Sequence, residues 1–232
     1  MSLNLKCHVF VDFDGTIAPV DTTDLLLERF ADPGWMAIEE QWKSGEIGSR
    51  ECLVRQIDLV RATPAELDDF VSRIDIDPGF PAFVDLCHQH GYPTTVVSDG
   101  LDRTVSSVLS RAGLGHLPVY ANHLSWAGED RWRLTFPNSR SDCRALSGNC
   151  KCQFAEAAIG HVRILVGDGR SDYCVAEQAD LVLAKGSLAR HCREKELPHF
   201  IFTTFNEATA LLQNWLEENA AVDGATTAGR DD

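Results

Sequence analysis

Two spacings of apolar residues alternate along this chain. Residues 7–13 ("CHVFVDF") hold a short, nearly continuous apolar run, which predicts a buried strand. Helical spacing then takes over at 22–31 ("TTDLLLERFA"), 35–43 and 48–61 ("GSRECLVRQIDLVR"). "TPAEL" at 63–67 predicts a helix start, with Thr63 as N-cap, Pro64 at the first position and Glu66 at the third. Residues 21–78 are therefore expected to be helical without an interrupting strand. Farther on, the pattern predicts a helix over 78–92 ended by Gly91, a strand over 94–98 ("TTVVS") and a helix over 101–112. Residues 118–126 and 131–136, on either side of "AGED", predict a β-hairpin. Helices at 151–159, 171–177, 187–195 and 205–218 alternate with strands at 162–167, 180–183 and 199–203.

Strand and helix in alternation predict an α/β fold with a parallel sheet and right-handed crossovers. The helical stretch after the first strand is several times too long for one crossover. It is expected to be an inserted helical cap domain (21–78), hinged near 18–21 and 76–81, on an α/β core of 1–20 and 79–218. Residues 219–232 are small, polar and acidic, and are expected to be disordered.

Composition narrows the function classes. The 232 residues carry a net charge of −14, which argues against nucleic acid or an anionic membrane as the main partner. It leaves room for a phosphorylated small molecule, because a local cation outweighs the global field. No run approaches the roughly 20 apolar residues of a membrane span. No secretory leader is expected from the acid-broken apolar run near residue 8, so the eight cysteines are expected to be reduced thiols in the cytoplasm. Cys143, Cys150 and Cys152 cluster in one loop, but without zinc-ribbon spacing, and are expected to be ordinary thiols.

Candidate chemistry sits at strand ends. Asp12 and Asp14 follow the first strand, Ser98-Asp99-Gly100 ends the second, Lys151 opens a helix, and Asp168 and Asp172 ("GDGRSD") follow "RILV". In an open parallel sheet, sites gather outside the carboxyl ends of the strands. Taken singly, each has a bland reading: a polar strand terminus, a turn with a helix cap, a solvated lysine. In this order, the bland readings together become improbable.

The four motifs resemble those of the haloacid dehalogenase superfamily: "DFDGT", a strand ending in Ser98, Lys151, and "GDGRSD". The resemblance implies a Rossmann-like parallel sheet with the inserted cap, and a phosphatase. It implies Asp12 as nucleophile and Asp14 as general acid/base. It also implies Mg²⁺ held by Asp12, Asp168 and the Asp14 carbonyl, with Asp172 acting through a bound water or from behind. Ser98 and Lys151 would hold the phosphoryl oxygens, with backbone donors around Gly15, Asp99 and Gly100. A helical cap at this place marks the branch that includes phosphoserine phosphatases. "DFDGTI" with Asp21, "PGWMA", "YANH", "FPNS" and the cysteine loop more closely resemble the 2-hydroxy-3-keto-5-methylthiopentenyl-1-phosphate phosphatases of methionine salvage. Asp21 and Gln56 stand where phosphoserine enzymes carry Glu and Arg. Asp21 and Arg55 are the candidate cap contacts to substrate, Arg55 being otherwise a surface helix residue. His123 and Trp126 are expected to pack or face the hairpin. A transferase with another acceptor, phosphoserine as substrate, and a noncatalytic metabolite-binding protein are the alternatives. The partner is a small phosphorylated metabolite, and the oligomeric state is open.

Overall fold

A computed structural model describes residues 5–227. Its strands are β1 (Cys7–Val11), β2 (Thr94–Leu101), β3 (Val119–Gly128), β4 (Arg131–Thr135), β5 (Val162–Gly167), β6 (Leu181–Ala184) and β7 (His199–Ile201). They form one sheet in the order β4-β3-β2-β1-β5-β6-β7, parallel except for the β3–β4 hairpin at one edge. The chain winds outward from β1 to β2 and β3, then returns to β5 on the other side of β1. The sheet order therefore reverses at β1, and a crevice opens there at the carboxyl ends of β1, β2 and β5.

Alternate residues of each strand go to opposite layers. Val9, Val11, Val96, Ile164, Val166 and Leu183 face a core completed by α5 (Phe80–Gln89), α6 (Asp102–Arg111) and α10 (Phe205–Thr227). Phe10, Val97, Leu165, Val182 and Ala184 face the other, against α7 (Cys152–Ala157), α8 (Tyr173–Ala176) and α9 (Gly186–Glu194). Burial on both faces explains why the central strands are apolar runs instead of alternating ones.

Between β1 and α5 lie α1 (Thr22–Phe30), α2 (Trp35–Ser44), α3 (Ser49–Ile57) and α4 (Pro64–Val71), with no strand among them. The capping box at α4 is present: Glu66 N–H donates to Thr63 Oγ1, and Thr63 N–H donates to Glu66 Oε2 at 2.8 Å. Where the chain leaves and re-enters the sheet layer, Asp77 N–H donates to Ile17 O at 2.8 Å. Helix α3 stops at Ile57, short of the expected 61, because Arg61 N–H turns to Phe30 O and Val60 bridges Ala31.

Two expectations are corrected. The strand expected over 94–98 continues through Leu101, so Ser98-Asp99-Gly100 is extended backbone and not a turn. Side chains hold it there: Asn122 Nδ2 donates to Asp99 O at 2.6 Å, and Gly100 N–H donates to Ser98 Oγ at 3.0 Å. The tail expected to be disordered from 219 is helical to Thr227, since no proline falls between 205 and 227 and the first glycine is Gly224. Residues 228–232 lie outside the described residues. No helix among those described is long and apolar enough to cross a membrane.

Candidate active site

β1 ends at Val11, and the chain turns over Asp12, Phe13 and Asp14. Gly15 takes φ +69°, a conformation that favours glycine, and a β-carbon there would collide with the Asp168 carboxylate. This turn brings the β1 and β5 acids together. Carboxylate oxygens of Asp12, Asp168 and Asp172 lie within 4.8 Å of one another.

Lys151 stands among them, almost fully buried. Its Nζ is 2.8 Å from Asp12 Oδ1 and 2.7 Å from Asp172 Oδ1, and it donates to Ser171 Oγ at 3.1 Å. Burial disfavours the ammonium, but Asp12 and Asp172 outweigh it and hold the lysine pKa above its ordinary value. One lysine does not neutralise three acids. Burial and then repulsion from Asp172 keep the Asp12 carboxyl well above the usual range, and the same two causes push Asp168 up to about 6. Hard oxygen donors with surplus negative charge fit a small divalent cation such as Mg²⁺ better than a soft metal.

Each Asp12 oxygen has its own setting. Oδ1 accepts from Phe13 N–H at 2.8 Å and pairs with Lys151, which leaves Oδ2 for chemistry. Asp172 is fully committed: Oδ1 to Lys151, Oδ2 to the N–H groups of Asp168 (3.2 Å) and Gly169 (3.3 Å). It shapes the "GDGRSD" loop and anchors the lysine. Asp168 Oδ1 accepts from Thr16 Oγ1 at 3.1 Å.

The Asp14 carboxylate lies outside the three-acid cluster. Its Oδ1 accepts from Thr22 N–H (2.8 Å) and Thr22 Oγ1 (2.6 Å), while Oδ2 is 3.5 Å from Ser98 Oγ. Burial and then Asp21 raise its pKa to about 7, where a carboxyl can both give and take a proton near neutrality.

The expected backbone donors are corrected. Gly15 N–H donates to Val20 O at 3.1 Å and Gly100 N–H to Ser98 Oγ, so neither is free for a phosphate. Ser98, whose oxygen accepts that bond, points its own O–H toward Asp14 Oδ2 at 3.5 Å, a long contact that a phosphoryl oxygen can replace. The Asp99 carboxylate is a tie and not an anion contact. It accepts from Ser49 Oγ (2.5 Å) and Asn149 N–H (2.9 Å), and burial raises its pKa.

A pocket of about 310 Å³ opens above these groups, between the strand ends and helices α1 to α3. Asp12, Asp14, Asp99 and Asp168 line its floor, and Asp21, Asp24, Glu39 and Gln56 its far side. Asp21 stands there as the N-cap of α1, accepting from Asp24 N–H at 2.9 Å. Burial, Asp21 and Glu39 push Asp24 up to about 7. Arg55, expected to reach substrate, does not line the pocket. Its guanidinium bonds Gln41 Oε1 at 2.7 Å and pairs with Glu51, while Gln56, one residue on and therefore about 100° around the helix, faces the pocket. His123 and Trp126 are both mostly exposed, bonding Asp102 and Glu129 O.

Several functional neighbours were not legible in the sequence. Asn149 donates from Nδ2 to Ser98 O (2.8 Å) and Tyr120 O (2.7 Å), fixing the loop that delivers Lys151 two residues later. Arg170 Nη1 donates to Trp42 O and Lys43 O, joining the Asp168 loop to the end of α2. Glu39 accepts from Gln56 Nε2 at 3.0 Å. Only the Thr22-Thr23 pair carried a signal, as helix-start residues behind Asp21. All eight cysteines are free thiols.

Comparison with known proteins follows the same lines. Residues 9–177 match the haloacid dehalogenase-like hydrolase family. A 2-hydroxy-3-keto-5-methylthiopentenyl-1-phosphate phosphatase of Brevibacillus brevis is 32% identical, over 93% of this chain and 99% of its own. One from an Exiguobacterium species is 30% identical, over 90% and 98%. Among solved structures, a phospho-aspartyl intermediate analogue of phosphoserine phosphatase superposes with a TM-score of 0.65 at 20% identity, covering 86% of this chain and 95% of that one.

Proposed function

The chain belongs to the haloacid dehalogenase-like hydrolases and is a phosphoric monoester hydrolase; we propose that it works in two steps through an aspartyl-phosphate on Asp12. The observation that carries this is the Asp12 setting: one oxygen tied to Lys151 and Phe13 N–H, the other at the pocket floor beside Asp168. Asp12 Oδ2 attacks phosphorus while the ester P–O bond breaks, and the Asp14 proton goes to the leaving oxygen. Water then attacks phosphorus, gives its proton to Asp14, and releases Asp12 as carboxylate. Ser98 O–H and Lys151 hold the phosphoryl oxygens, as a largely electrostatic transition state requires.

Mg²⁺ fits the oxygen cluster, with Asp12, Asp168 and the Asp14 main-chain carbonyl as ligands. When bound it supplies the charge that lets a phosphate dianion approach a carboxylate. Excess EDTA should remove turnover, and Mg²⁺ should restore it. Added Mg²⁺ should also raise the melting temperature, more at pH 8 than at pH 5.5, because protons on Asp168 compete with the metal below about pH 6, and the Asp12 carboxyl, also raised by burial, adds to that competition. Calorimetric melts with and without Mg²⁺ at both pH values check this; full turnover in EDTA overturns the metal's part.

We read residues 21–78 as a cap over a core of 1–20 and 79–218, because the far wall of the pocket comes from this helical segment. As substrate we propose the enol-phosphate of methionine salvage, handled in the cytoplasm. The names of the relatives support it, and so does the far wall, where Asp21, Asp24 and Glu39 are acids and the one pocket-lining guanidinium, Arg170, is turned to Trp42 O and Lys43 O of α2. A substrate carboxylate facing acids with no cation turned toward it is disfavoured. A phosphate-release panel should therefore give phosphoserine a kcat/KM about a hundredfold or more below the enol-phosphate. Phosphoserine as the best substrate overturns the reading of the far wall.

A further inference from the structure

Thr23, in the first turn of α1, presents a hydroxyl that the fold leaves without a partner. The residue is 92% buried, its Oγ1 has no hydrogen-bond partner, and its side chain lines the catalytic pocket. The neighbouring Thr22 shows the contrast: both its N–H and its hydroxyl are spent on Asp14 Oδ1. A buried hydroxyl normally finds a partner, and leaving one unpaired is costly.

The surroundings of Gly100 show what the hydroxyl faces. A β-carbon on Gly100 would lie 3.1 Å from Ser98 Oγ and 3.3 Å from Thr23 Oγ1, and it would collide with Asp14 Oδ2. The proton-carrying oxygen of Asp14 and the orphan hydroxyl of Thr23 thus border the same small space, kept open by the missing side chain. Asp14 Oδ1 is already held by Thr22, so Oδ2 is the oxygen that exchanges a proton with substrate.

We propose that Thr23 is a catalytic residue, its Oγ1 holding the reacting oxygen that trades a proton with Asp14. In the first step the leaving oxygen accepts the Asp14 proton and a hydrogen bond from Thr23 O–H as its bond to phosphorus breaks. In the second step the attacking water gives one proton to Asp14 and hydrogen-bonds through its other to Thr23 Oγ1, while its lone pair forms the new P–O bond and Asp12 departs with its electrons. Thr23 itself neither gains nor loses a proton. This assignment rests on the proposed roles of Asp12 and Asp14.

The test compares Thr23→Val, which keeps the shape and removes the hydroxyl, with Thr23→Ser, which keeps the hydroxyl. Rates are measured on an alkyl phosphate and an aryl phosphate, with acid-quenched phosphoenzyme followed by intact mass. Thr23→Val should lower kcat about ten- to a hundredfold on the alkyl phosphate, as expected for a lost hydrogen bond to an oxygen of developing charge. On the aryl phosphate, whose leaving group needs little protonation, phosphoenzyme should accumulate because only the water step suffers. Thr23→Ser should stay within about threefold of wild type. If Thr23→Val does not fold, Thr23→Ala takes its place. A folded hydroxyl-less variant at wild-type speed on both substrates overturns the proposal, and so does a Ser variant as damaged as the Val one. An Asp12→Asn control separates the failures. If that control is dead and Thr23→Val is fast, only Thr23 loses its role; if the control turns over, the reading of Asp12 falls with it.

Discussion

Asp12→Asn should lose turnover by about 10⁴-fold or more while melting at or above the wild-type temperature. The two halves of this result have one cause. Asp12 is buried, its carboxyl is pushed up by burial and by Asp172, and Lys151 offsets only part of that. An amide of the same shape removes a surplus charge from a crowded site, and Lys151 keeps Asp172 as its counterion at 2.7 Å. Replacing a poorly compensated buried charge is often neutral or stabilising. Chemistry has no such substitute, because an amide nitrogen or oxygen in that place does not carry the phosphoryl group. Activity assays and thermal melts on the same preparation check both parts. Substantial turnover by folded Asp12→Asn removes it as nucleophile, and a steep fall in stability makes its role structural.

The opposite pattern is expected at Lys151. Lys151→Ala strips the cation from between two buried carboxylates 2.8 and 2.7 Å away, leaving both uncompensated. Breaking a buried pair in this way costs about 3–5 kcal/mol, which for a chain of this size is a fall of roughly 10 °C in melting temperature. Turnover should vanish as well. The loss of stability has a pH signature. In the variant, Asp12 loses the ammonium that favoured its charged form, so its folded pKa, already raised by burial and by Asp172, stands farther above the unfolded value near about 4. A group whose folded pKa is raised contributes stability as pH falls through that value, and loses it as pH rises. Urea melts should therefore show Lys151→Ala closer to wild type at pH 5.5 than at pH 8. An equal deficit at both pH values would assign it to packing of the lysine stem.

The sequence carried those parts of the site that lie on local rules. A buried strand ending in acids, repeated at β1 and β5, marks the carboxyl edge of a parallel sheet, and the strand order brings the two ends side by side. Asp12 and Asp168 were legible for that reason, and Lys151 from its place in the order of the four motifs. What escaped depends on long-range geometry. Gly15 and Gly100 suggested open backbone donors, yet Gly15 N–H is spent on Val20 O and Gly100 N–H on the Ser98 side chain two residues back in the strand. Asn149 has no periodic signature, and its role exists only because Ser98 O and Tyr120 O end within its reach. On α3, adjacent residues diverge by about 100°, so Arg55 and Gln56 exchange expected places through an uncertainty of one residue. Helix ends were misjudged where tertiary bonds cut them short, as at Arg61, or where helix propensity carried them on, as in α10.

The turn that closes the β3–β4 hairpin has a practical bearing. Asp130 O accepts from Ala62 N–H at 3.0 Å, Trp132 Nε1 donates to Ala62 O at 2.8 Å, and Trp126 Nε1 donates to Glu129 O at 3.0 Å. A loop tip at a sheet edge is ordinarily where an affinity tag or a fluorescent protein is grafted with least harm. Here the β4 side of the tip grips Ala62 in the link between α3 and α4. A graft between Glu129 and Asp130 would pull on the helices that wall the pocket, 70 residues away in sequence from Trp132.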